Sequence, residues 1–186
     1  MRYFTRQLYQ QFNSAEDAEA DRAEQAWETA LEEYRQHRDG LRDRMPSNVS
    51  KLADLNLHDA EILSRTEEIQ PGAPFIFPEF PFPLPIALWS AVAIVSVRLG
   101  GDVVSLIYCL WDRIREDPAP DDWPFSKLRE HWLYDEVDIG SERRGPFLHR
   151  ILLSSGVELE IPFTTVVIHR FAVHPSKAGK AEPQSA

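Results

Sequence analysis

The sequence predicts an α+β fold, with an acidic N-terminal helical arm followed by an antiparallel β-sheet body of about six or seven strands. Two patterns and one junction carry this expectation. Between residues 14 and 44, apolar side chains recur at three- and four-residue spacing among dense charge, as on an amphipathic helix. From Asp59 onward, short runs of alternating or continuous apolar residues are separated by glycine, proline and serine, as in strands joined by turns. Leu57-His58-Asp59-Ala60 divides the two regimes.

In chain order, Thr5 is placed to cap a short helix through Phe12, with Tyr3 and Phe4 ahead of it as apolar anchors. Ser14 is expected to start the arm, along which Ala23, Trp27, Ala30, Leu31, Tyr34 and Leu41 form one apolar stripe. Ten acids against five arginines lie between residues 14 and 44, about half the net charge of −10. The acids crowd the start and the arginines the end, which suits the helix dipole. A solvated helix face explains that charge, and so does a surface that captures a cationic protein. Pro46 should stop the helix, and Ser47 should cap one further short turn.

A first strand is expected from Asp59. The prolines and phenylalanines between Pro71 and Pro85 read as an extended loop packed down on the body. Residues 87–99 and 103–111 are apolar on both faces and flank Gly100-Gly101, which predicts two central strands in a tight hairpin. Residues 117–124 read as an acidic surface loop. Further strands follow over 129–139, 147–153, 157–161 and 164–173, with Ser154-Ser155-Gly156 as the last hairpin turn.

At 186 residues with 43% hydrophobic content, one core is expected. We expect one domain over 1–174, with the arm at 1–54, the sheet body at 55–174 and a disordered tail at 175–186. The pI near 5.0 argues against nucleic acid and anionic membrane as partners and favours a basic protein. Cys109 stands alone in an apolar run, as a buried inert thiol in a reducing compartment would. No targeting segment is read at the start, and the apolar stretch 86–97 is too short to span a bilayer, so a soluble cytoplasmic protein is expected.

Chemistry-bearing residues fall in a few places. His58 beside Asp59 at a strand mouth can be a general base with its orienting partner, a pair of metal ligands, or a polar staple at the helix-to-sheet junction. Asp135, Glu136 and Asp138 form an acidic strand that Arg143, Arg144 or Arg150 can neutralise. Asp135 and Glu136 are adjacent and should point to opposite faces. His149 and His169 read as strand histidines satisfied structurally, and Trp132 with Tyr134 as aromatic packing. There is no phosphate loop, nucleophile elbow or cysteine pair, and no cofactor is expected.

Two functions of different class follow. The first is a non-enzymatic, immunity-like or regulatory binding protein that presents Glu28, Glu32, Asp121, Asp122, Asp135 and Glu136 to a basic partner. The second is a small metal-dependent hydrolase using His58, Asp59 and the acidic strand, with His149 as a further candidate ligand.

The Met1-Arg2-Tyr3-Phe4-Thr5 start, the charged arm, Leu57-His58-Asp59-Ala60, Trp132-Leu133-Tyr134-Asp135-Glu136 and the stretch from His149 to Phe163 together resemble an uncharacterised bacterial family, domain of unknown function 4085. The resemblance covers residues 1 to about 172. It implies the architecture and a bacterial origin, and no mechanism. Similar His-Asp junctions ahead of small sheets occur in immunity proteins of toxin systems, an analogy of fold alone.

Overall fold

A computed structural model describes residues 1–71, 89–125, 129–141 and 143–172. Pro71, expected to open the proline-rich loop, still belongs to a strand; the rest of that expected loop, over 72–85, and the expected tail over 175–186 lie outside the described residues. Helix α1 (Arg6–Phe12) is capped as anticipated, the Thr5 hydroxyl accepting the Leu8 N–H at 3.2 Å. Helix α2 (Asp17–Leu41) is the arm. Its cap position falls on Glu16, two residues beyond Ser14, whose hydroxyl instead accepts the Glu16 N–H and donates to Glu19 at 2.6 Å. A short 3-10 turn (Arg42–Arg44) ends the arm ahead of Pro46. Pro46, and not Ser47, then takes the cap position of α3 (Ser47–Ala53), where its missing N–H costs nothing.

Among the described residues seven antiparallel strands follow: β1 (Glu61–Pro71), β2 (Trp89–Leu99), β3 (Asp102–Leu110), β4 (Arg115–Asp117), β5 (Trp132–Ile139), β6 (Phe147–Leu153) and β7 (Glu158–Ala172). Their order is β1-β2-β3-β7-β6-β5, and β4, which sequence reasoning assigns to no strand, pairs with the start of β7. The Gly100-Gly101 hairpin forms with Leu99 opposite Asp102, and Gly100 adopts φ 60°. β2 and β3 are central but alternate in burial. Ala93, Val95, Val97, Val104, Leu106 and Tyr108 face the core, while Ile94, Ser96, Ser105 and Ile107 are half-buried on the other side.

The two strands expected over 157–161 and 164–173 form a single one, β7, which runs through Pro162. The proline is tolerated because β7 changes partners there. It pairs with β6 as far as Phe163 and with β3 from Phe163 onward.

The two ends of the sheet meet. Glu61 bridges His131, and three bonds of 2.8 Å join the segments: Asp59 N–H to the Trp132 carbonyl, Trp132 N–H to Ala60, and Ile62 N–H to Glu130. The curled sheet is thereby closed at one corner. Inside lies the main core, including Tyr108, Trp132, Ile151, Ile161 and Phe163, and α3 adds Val49, Leu52 and Ala53. Asn48 fixes α3 by donating to the Thr165 hydroxyl and the Val166 carbonyl. The arm packs on the outer side of β5 through a second cluster of Phe4, Ala30 and Tyr34, flanked by Trp27 and Tyr134. The Tyr34 hydroxyl accepts the Val137 N–H at 2.8 Å, and His37 meets Asp138 at 3.1 Å.

Candidate functional site

His58 and Asp59 occupy the turn just before the closing corner, ahead of β1 and not within it. Asp59 adopts φ 63°, a left-handed conformation that aspartate tolerates better than most residues. This turns the chain so that the Asp59 amide reaches Trp132. His58 Nδ1 donates to the Leu133 carbonyl at 2.6 Å, and its ring stacks on Tyr134 with centroids 4.9 Å apart. Its Nε2 lies 3.5 Å from an Asp59 carboxylate that is 76% exposed. This is the geometry of a polar staple across the seam.

His149 lies elsewhere. It is fully buried and bonded at both nitrogens, with Nδ1 2.8 Å from the Tyr108 hydroxyl and Nε2 3.0 Å from Asp135 Oδ2. The other Asp135 oxygen accepts the Trp132 indole N–H at 2.9 Å. One proton assignment satisfies every atom: Tyr108 O–H donates to Nδ1, and Nε2–H donates to the carboxylate. Burial, reinforced by Asp135, raises the Tyr108 pKa well above its ordinary value, in keeping with a phenol that stays protonated. The chain Tyr108–His149–Asp135–Trp132 thus ties β3, β6 and β5 together inside the core.

Glu136 points the other way, as adjacent strand residues must, but it does not reach solvent. It is 1% exposed and accepts the backbone N–H groups of Arg2, Tyr3 and Phe4 at 2.7–3.0 Å. Arg150 approaches it at 4.0 Å and pairs more closely with Asp138 and Glu160. The expected display of Asp135 and Glu136 to a partner is therefore corrected: one carboxylate is spent in the core and the other on the N-terminal segment. Glu28, Glu32, Asp121 and Asp122 are exposed.

The hydrolase set is not brought together. His58 is at the seam and His149 inside, and among the described residues no three His, Cys, Asp or Glu side chains gather as metal ligands would. Burial raises the Cys109 thiol pKa, which disfavours the reactive thiolate.

Sequence reasoning missed Tyr108 as a polar partner because it stands in an apolar run. A signal was present: Asp135 shares strand parity with Val137, and His149 with Phe147 and Ile151, so both polar groups point inward. In comparisons with known proteins, no family model matches the chain and no curated protein is significantly similar to it.

Proposed function

We propose that the chain is a non-enzymatic protein-binding module, immunity-like or regulatory, that offers the outer face of α2 to a basic partner in the bacterial cytoplasm. The observation that carries this reading is the state of that face. Between residues 17 and 33, α2 holds seven acids and one arginine. Asp17, Asp21, Glu24, Glu28, Glu32 and Glu33 are exposed, and the only ion pair among them within the described residues is a 4.0 Å contact of Glu32 with Arg35. The opposite face is committed to the sheet through Ala23, Ala30 and Tyr34. Asp135 and Glu136, by contrast, are satisfied internally and play no part. Unpaired exposed charge of one sign speeds and orients encounter with the opposite sign. No helix among the described residues is long and apolar enough to cross a membrane.

The test is capture from a bacterial lysate by the immobilised protein, read beside a Glu24→Lys/Glu28→Lys/Glu32→Lys variant. A basic protein should be retained at about 50 mM salt, released by about 300 mM, and lost with the variant, since screening is strong at that ionic strength. Retention that survives both salt and charge reversal would overturn the reading.

A further inference from the structure

Away from the arm, the strand ends carry an open cleft of about 520 Å³, within the ordinary range for a small-molecule site. Its walls are Trp111 just after β3, Ile139 at the end of β5, and Gly145, Pro146 and Phe147 leading into β6, with Arg44 at the rim.

Three features distinguish it from a surface dent. Trp111 is 53% exposed, although large aromatic side chains are usually covered. The base of its side chain packs against Gly145, where an added Cβ would come within 2.7 Å of the ring; Gly145 also holds φ +93°. The indole is thus seated against the Gly145 backbone with much of its surface open. Finally, Arg44 has no ion-pair partner among the described residues, whereas Arg38 and Arg42, near the same end of the arm, are both paired with Asp39 and Asp54. A flat apolar surface beside an unpaired guanidinium is complementary to a ring bearing a carboxylate.

We propose that this cleft binds a small aromatic carboxylate, the ring against Trp111 and Phe147 and the anion on Arg44. The net charge of −10 makes the proposal discriminating: the molecule as a whole attracts cations, so a preference for an anion must come from the local arginine. The inference is independent of α2 and of what α2 binds.

Three probes of nearly equal shape test it: indole-3-acetate, neutral indole-3-acetamide and cationic tryptamine. Binding is followed by NMR at the Trp111 indole N–H, recognised as the resonance missing from a Trp111→Phe spectrum. Indole-3-acetate should shift that resonance and bind about tenfold more tightly than the amide, with tryptamine weakest. Arg44→Gln, an exposed and unpaired site whose change leaves the fold intact, should equalise acid and amide. Trp111→Ala should weaken both. The proposal is overturned if no probe moves the resonance up to about 5 mM. Tryptamine binding as well as the acid, or an acid preference that survives Arg44→Gln, overturns it too. So does a resonance that shifts with protein concentration alone, because a second copy would then fill the cleft.

Discussion

Replacing Glu136 by glutamine scarcely alters shape, yet it should lower folding stability by about 2–3 kcal/mol. Oε1 accepts from Arg2, Tyr3 and Phe4, and Oε2 accepts a second contact from Arg2 at 2.9 Å. A glutamine can keep its carbonyl at the Oε1 position and still offer an acceptor to all three amides. Its NH2 group then faces the Arg2 N–H, donor against donor, and the charge that strengthened the bonds is gone. A hydrogen bond to a charged group contributes about 1.5–3 kcal/mol and a neutral one about 1, so roughly 1 kcal/mol is lost at each of two or three bonds. Glu136→Ala should cost about 3–5 kcal/mol by full orphaning, limited by detachment of the segment as a unit, which forfeits Phe4 against Trp27 and Tyr34. Asp138→Asn, two residues along the same strand, controls for net charge and should cost under about 1 kcal/mol, since its partners are partly solvated. Urea unfolding followed by circular dichroism gives the energies, and amide exchange at Arg2, Tyr3 and Phe4 shows whether the segment is released. A Glu136→Gln protein within about 0.5 kcal/mol of the parent, with those amides still protected, would refute the reasoning.

His149→Ala leaves the buried Tyr108 hydroxyl without a partner and takes one of two side-chain bonds from the half-buried Asp135 carboxylate, and it should cost about 2–4 kcal/mol by urea unfolding; a loss under about 1 kcal/mol would mean the network is not closed as described. All five tyrosines titrate above their ordinary value, chiefly through burial, with Tyr134 pushed up to about 12. A folded pKa above the unfolded value of about 10 means stability complete below pH 10 and lost as pH rises through the folded values. Tyrosinate absorbance should therefore lag behind free tyrosine and rise together with unfolding between pH 10 and about 12; ordinary titration near pH 10 in a folded protein would contradict the burial. At the seam, Asp59→Gly should leave the melting temperature level or slightly raised, whereas Asp59→Val should cost about 1–2 kcal/mol, because φ 63° is strained for a β-branched residue.

The architecture was legible because periodicity reports which face is buried. The stripe through Trp27, Ala30 and Tyr34 marked the arm, and Gly100-Gly101 marked a hairpin whose φ 60° only a residue like glycine adopts freely. What escaped depended on pairing between distant parts. β4 is three exposed residues, Arg115 to Asp117, with no apolar pattern of its own, and it exists as a strand because β7 offers an edge. Pro162 looked like a strand break because nothing local reveals that β7 changes partners there. Asp135 and Glu136 escape for the same reason. An aspartate and a glutamate in a strand look like a solvated face until the histidine that fills one and the amides that fill the other are placed, and these come from residues 149 and 2–4.

Those two carboxylates also explain how the arm is held. Asp135 ties β5 to the interior through His149, and Glu136 ties the same strand to the N-terminal segment on the outside. With β5 pinned from both sides, the Tyr34 hydroxyl on the Val137 N–H and His37 on Asp138 fix α2 at one rotation along the strand. A helix that merely shed its apolar stripe onto a sheet could roll by a residue at small cost. Here a roll would break the buried bond from the Val137 N–H to the Tyr34 hydroxyl, a loss of about 1–3 kcal/mol. The acids at positions 24, 28 and 32 are thus held toward solvent by bonds made on the opposite side of the helix. It follows that Tyr34→Phe, which keeps the ring and removes only the hydroxyl, should loosen the arm without changing its charge. If presentation of that face is what a partner recognises, Tyr34→Phe should slow capture of the basic protein while leaving its salt dependence unchanged.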